Sequence, residues 1–274
     1  MRTFLKYLLI FLFLLISLLY YLFNTSSGNE YFNSYLSSYF SQKSKNKILI
    51  ENIDFSSYPH IHVAMKINHH SIDLIGEVSY SNGLRVKGFT SEFGGNLYFD
   101  YERNKSKIFF KLEKLSLEKT LKKFSYPVRM TANIFGTITY DIKNKIVIFD
   151  NQLKQTRLIK NQMSNMIFLA TNIDVTTYLY DKSTFKGEYQ HDILRGDFKI
   201  DSGKEHIYFR KLRVHLKTKK ITSYFELKMD GQEVSGKVNG TTSDPSFRID
   251  VSKLIKHQVN EFSEKAKSIF NNFF

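Results

Sequence analysis

The sequence predicts a mostly β protein: an antiparallel sheet with a few short helices, set between an N-terminal transmembrane helix and a C-terminal amphipathic helix. Three observations predict it. Across residues 47–250, apolar and polar residues alternate with period two in one short segment after another, the pattern of strands with one oily and one wetted face. Residues 7–23 carry no charge. Residues 251–274 change to a helical period, with Val251, Leu254, Ile255, Val259, Phe262, Ala266, Ile269, Phe270 and Phe273 on one side and Lys253, Lys256, Glu261, Glu264, Lys265 and Lys267 toward the other.

With Phe4 and Leu5 on the far side of Lys6, the first apolar span reaches about 20 residues, enough to cross a bilayer as a helix. Arg2 and Lys6 precede it and the next basic residue is Lys43, so the positive-inside rule places the N-terminus in the cytoplasm and the remainder across the membrane. A cleaved signal peptide normally has a shorter apolar region and an Ala-x-Ala-like site. Here only Thr25-Ser26-Ser27 is available, so residues 1–24 read as a retained anchor. Tyr31, Tyr35 and Tyr39, with Phe32, Leu36 and Phe40 beside them, recur every four residues and leave Asn33, Ser34, Ser37 and Ser38 opposite, which predicts a short amphipathic helix. It serves either as an interfacial helix on the outer leaflet or as a cap on the first strands. A polar linker over residues 41–46 completes a unit of residues 25–46.

In the β domain, residues 47–250, strands are expected around Ile61, Val63, Met65 and Ile67, and around Ile72, Leu74, Gly76, Val78 and Tyr80. Ser81-Asn82-Gly83 is a hairpin turn after them, and more strands follow over residues 97–101 and 108–112. Leu117, Leu121 and Phe124 mark a short helix within residues 115–124 that stops before Pro127. Strands resume over residues 128–140 and 145–149. Residues 156–180 carry apolar side chains at roughly helical spacing, predicting one or two helices that interrupt the sheet. Alternation is clearest from Ile193 to Asp250. There Leu194, Gly196, Phe198 and Ile200, then Leu212, Val214 and Leu216, then Ile221, Ser223, Phe225, Leu227 and Met229 fall on one side, and Asp230-Gly231 turns the chain into Val234, Gly236 and Val238.

The chain has 274 residues and a net charge of +14, with no Cys and no Trp. Disulfides and thiolate metal sites are therefore excluded. Such a basic balance suits anionic headgroups or acidic partners; nucleic acid is set aside because the first segment places the domain outside the cytoplasm. There is no Gly-rich phosphate loop, Gly-x-Ser-x-Gly elbow or His-Glu-x-x-His, and catalysis is not expected. His60 and His62 share a strand face and His69-His70 follow, but solvated histidines account for them. Asp192, Asp197 and Asp201 read as solvent-face charges.

The close of the chain, from Val234 through Gly240-Thr241-Thr242-Ser243-Asp244-Pro245 to Phe247-Arg248-Ile249-Asp250 and an amphipathic helix, resembles the C-terminal end of AsmA-like proteins. The leucine-bearing helical turn, Pro127 and the strand with a central Gly (Ile134-Phe135-Gly136-Thr137-Ile138) are similar to that family, as is an uncleaved helix leading into an export-side β domain. The resemblance runs from Leu115 onward and rests on a short, degenerate motif. It implies a bacterial inner-membrane protein whose periplasmic part is an elongated, twisted, groove-like antiparallel sheet related to bridge-like lipid carriers. About a dozen strands at ~4.8 Å give a length on the order of 60 Å, well short of an envelope gap several times that size.

The expected function is that of an inner-membrane-anchored periplasmic AsmA-like protein that binds or shields phospholipid acyl chains in an apolar β-groove. It would contribute to lipid transport and outer-membrane homeostasis. Its partners would be phospholipid, the inner membrane and other envelope proteins, with no cofactor, metal or nucleic acid. The lipid-facing residues would be Leu212, Val214, Leu216, Phe225, Leu227, Met229, Phe198 and Ile200. The alternative is a non-lipid-binding structural factor for the envelope, active in outer-membrane protein assembly, in which the apolar faces close on each other as a sandwich.

Overall fold

The computed structural model describes residues 25–250 apart from 45–46, 68, 81–82, 125, 162–163, 166, 169–171 and 243–244. The expected anchor, the hairpin turn at Ser81 and Asn82 and the C-terminal helix lie outside the described residues. Among those residues no helix is long and apolar enough to cross a membrane.

Fourteen strands form one sheet, and each is hydrogen-bonded to its neighbours in sequence. They are β1 (Ile48–Asp54), β2 (His60–Ile67), β3 (His70–Ser79), β4 (Arg85–Thr90), β5 (Asn96–Glu102), β6 (Lys107–Ser116), β7 (Met130–Asp141), β8 (Ile146–Leu158), β9 (Ser183–Gln190), β10 (Ile193–Asp201), β11 (His206–His215), β12 (Lys220–Met229), β13 (Gln232–Gly240) and β14 (Pro245–Asp250). All pairings are antiparallel, and β1 and β14 are the two edges. The described strands thus form a single open sheet; the strong contacts between elements are those of sheet neighbours, of the first helix with β1, and of the second with β6 and β7. At ~4.8 Å per strand the stack runs about 60 Å from edge to edge.

Tight turns explain the meander. His191 and Asp192 join β9 to β10 with φ of 49° and 62°, and Asp230 and Gly231 join β12 to β13 with φ of 49° and 75°. Positive φ at both central residues is the two-residue hairpin geometry whose twist matches the strands it joins. β1 and β4 are not marked by clean alternation. A bulge between Ile50 and Asn52 breaks β1, and β4 turns Gly88 and Thr90 inward where bulkier residues would announce a strand.

Helix α1 (Ser26–Ser44) starts at Thr25, whose Oγ1 accepts from the Gly28 N–H at 3.1 Å. It absorbs the first part of the expected linker. Helix α2 (Leu117–Lys123) begins at Ser116, whose Oγ accepts from the Lys119 N–H, and its Glu118 pairs with Lys122 one turn on. The helical reading of residues 156–180 is corrected at both ends. Thr156 and Leu158 belong to β8, and Tyr180 forms an antiparallel bridge back to Thr156. Between them the expected helical character is present: residues 164, 165, 167 and 168 are helical, Asn165 N–H donates to Asn161 O and Asn172 N–H to Phe168 O within a long β8–β9 connection.

Candidate lipid-facing sheet surface

Register turns alternation into rows that cross the sheet. One row reads Val78, Val86, Tyr101, Ile108, Tyr140, Val147, Tyr189, Leu194, Val214 and Ile221, one residue from each of β3 to β12. The next reads Ile61, Gly76, Gly88, Phe99, Phe110, Ile138, Phe149, Gly187, Gly196 and Leu212, from β2 to β11. A third runs from Thr90 through Leu97, Leu112, Gly136, Asn151, Phe185, Phe198 and Phe209 to Phe225. No charged residue interrupts any of them. Only Thr90 and Asn151 bring polarity beyond tyrosine hydroxyls, and the buried Asn151 Oδ1 has no hydrogen-bond partner among the described residues.

These rows differ in cover. Along one margin the face is closed. Phe93, from the β4–β5 connection, stacks on Phe124, just after α2, with ring centroids 6.2 Å apart, over Ile72, Leu112 and Leu115. Farther along, Ile167, Ile173, Val175 and Tyr180 of the β8–β9 connection pack on Leu158, Ile200, Ile207, Leu227, Met229 and Val234. The Tyr178 hydroxyl donates to Asp230 Oδ2 at 2.5 Å and the Tyr180 hydroxyl to Val175 O at 3.0 Å. Toward the opposite margin, Val86, Tyr101, Ile108, Tyr140, Val147, Tyr189 and Leu194 are all half-buried. The rings in the middle lean on one another, Phe149 on Phe185 at 4.6 Å, Phe185 on Phe198 at 5.6 Å and Phe198 on Phe209 at 6.3 Å, and Phe198 and Phe209 also pack into the covered cluster.

Seven of the eight residues singled out from sequence share this face, most of them in its more covered part. Ile200, Leu227 and Met229 sit in the closed margin; Phe225 and Val214 are buried as well, and Phe198 and Leu212 are half-buried. Leu216 lies just past the end of β11 at His215 and is exposed, its N–H donating to Asp192 O. The alternation of β5 to β9 carried the signal for the open rows. What was illegible was that Ile167, Ile173, Val175 and Tyr180 pack onto β10 to β13.

The opposite face is charged and laced with cross-strand ion pairs. Arg85 holds Asp100 through two hydrogen bonds of 2.9 and 2.6 Å, which keeps that carboxyl below its ordinary range. Lys186 with Asp150, Arg195 with Glu188, and Arg210 and His206 with Glu226 continue the pattern. Several recesses lie on this side. One of about 880 Å³ contains Ile75, Phe89, Tyr98 and Phe109; one of about 610 Å³ gathers Arg210, Lys211, Lys237 and Arg248 beside Glu226 and Asp250. Comparison with protein-family models, curated proteins and solved structures finds no match for this chain.

Asp192, Asp197 and Asp201 each make local contacts. Asp192 pairs with Lys217 at 2.6 Å, which lowers its pKa. Asp197 accepts the N–H of Lys211, the bulged residue at φ 52°. Asp201, expected in solvent, is buried: it pairs with Lys199 at 2.6 Å and accepts from the Gly203 N–H. His62 lies 3.7 Å from Asp73, and no cluster of three His, Cys, Asp or Glu suited to a metal occurs among the described residues.

Proposed function

We propose that this chain is a lipid-handling protein of the AsmA-like kind, anchored in the bacterial inner membrane by residues 1–24 and presenting its sheet in the periplasm. The apolar face serves as the groove that shields phospholipid acyl chains. The observation that supports this reading is the set of charge-free rows, continuous over ten strands and left half-covered along one margin. A monomer in water rarely keeps so large a contiguous apolar surface without a purpose. Transfer of an acyl chain onto it is favoured by about 0.8 kcal/mol for each CH₂ removed from water. The half-buried rings and branched side chains of β5 to β10 supply that environment, while the closed margin gives the floor its rigidity. The lysines scattered over the other face attract anionic headgroups of the membrane in which the chain sits.

The test uses the full chain in bacterial cells. A benzophenone amino acid is placed at Ile108, Tyr140 or Leu194 on the apolar face, or at Thr139 or Arg195 on the charged face, and irradiated cells are assayed for phosphorus-labelled phospholipid on the protein. Adducts confined to the first three positions are expected, together with their loss at Ile108 when Leu194→Asp is introduced in a folded chain. Protein adducts in place of lipid at those positions would overturn the reading in favour of an envelope assembly factor.

A further inference from the structure

Helix α1 is oriented against the usual rule. One polar row points at the protein and the tyrosine row points away, while Ser34 and Ser38 are exposed and Phe32 and Leu36 half-buried. Asn33, Ser37 and Ser41, spaced four residues apart, face the edge strand β1. Ser41 Oγ accepts from Ile48 N–H at 2.8 Å and donates to Ile48 O at 2.9 Å, Ser37 Oγ accepts from Ile50 N–H at 2.8 Å, and Asn33 Nδ2 reaches Glu51 O at 3.4 Å. Four residues of helix rise about 6 Å and two residues of strand about 6.8 Å, so successive helical turns meet successive outward-facing backbone groups. On the other side Tyr31, Tyr35 and Tyr39 remain 70%, 61% and 47% exposed.

We propose that this tyrosine stripe is a membrane-surface seat, with α1 lying in the headgroup layer of the bilayer that residues 1–24 enter. The inference rests on the anchor in the functional reading above. The charge-free run of residues 7–23 ends two residues before the capping Thr25, so the helix begins where the apolar run stops. Tyrosine, with an apolar ring and a polar tip, is the side chain enriched at that depth. Lys43, Lys45 and Lys47 follow at the helix's far end, where anionic headgroups attract them. Because the other side of α1 holds β1, the seat fixes the direction of the sheet. β1 becomes the membrane-proximal end, the rows lead away from the bilayer, and β14 is the distal end.

The chain contains no Trp, so a single tryptophan reports its own surroundings. Full-length Tyr35→Trp and, as a distal control, Tyr224→Trp on β12 are reconstituted in vesicles of phosphatidylethanolamine and phosphatidylglycerol, with or without acyl chains brominated near the headgroup. The seat requires that Tyr35→Trp emission shift to the blue and lose most of its intensity in brominated vesicles while Tyr224→Trp stays unchanged. Chains that float with the vesicles yet leave Tyr35→Trp unquenched overturn the seat alone, and protein crosslinks from the stripe would then identify a protein-binding face. Chains that do not float overturn the anchor and the seat together, whereas lipid capture by the apolar rows is read separately by the benzophenone assay.

Discussion

Gly187 and Gly196 face each other in the middle row, and their lack of side chains sets how closely β9 and β10 approach on the apolar side. A Cβ added at Gly187 would stand 2.1 Å from Arg195 O and 2.7 Å from the Gly196 Cα. Gly187→Ala is therefore expected to lower stability by about 1–3 kcal/mol, as a drop in the urea midpoint with the slope retained. Both glycines are visible in the sequence as gaps in the alternation, but their pairing follows from the two-residue turn at His191-Asp192, whose chemistry is weaker than an Asn-Gly signal. Tyr178 gives a pH prediction. Its hydrogen bond to Asp230, with burial second, pushes its pKa from 10.0 up to about 12. The folded state thus favours the protonated phenol. The resulting stabilisation is complete below about pH 10 and is lost as pH rises toward about 12. Wild type should lose thermal stability over that interval, and Tyr178→Phe should show less of the loss.

At the scale of an element, α1 is the instructive case. Its four-residue aromatic period was legible, and so was the helix, but the buried side was not the one that amphipathicity selects. The partner is a strand edge rather than a sheet face, and an edge asks for hydrogen bonds. Small hydroxyl side chains satisfy it where large apolar ones cannot. The double substitution Ser37→Ala and Ser41→Ala leaves the Ile48 and Ile50 amides without acceptors, at an expected cost of about 1–3 kcal/mol for each buried donor. It also reopens the edge to other chains. Faster hydrogen exchange at Ile48 and Ile50 and concentration-dependent association in sedimentation are the expected readouts; unchanged exchange would mean the helix contributes nothing to the edge. The β8–β9 connection shows the opposite difficulty. The helical spacing around Ile167 was legible and residues 164, 165, 167 and 168 are helical, yet that spacing does not say where the helix ends or which strands it meets, and the bridge from Tyr180 to Thr156 is a contact between residues far apart in sequence.

For the whole molecule, the single-sheet character was written in the alternation and its order in the shortness of most connections. Which part of the apolar face stays open was not. That depends on two covers, the stacked Phe93 and Phe124 and the long connection before β9, whose contacts with the sheet join residues far apart in sequence. The meander itself carries a further consequence. Because each described strand pairs only with the strands before and after it, no strand order would have to be rewired to alter the size of the sheet. Inserting or deleting one hairpin changes the stack by about 10 Å and leaves the remaining ladders, rows and both edges as they were. Length is therefore a property that duplication of a single hairpin can adjust in steps, as a ruler is read by its divisions.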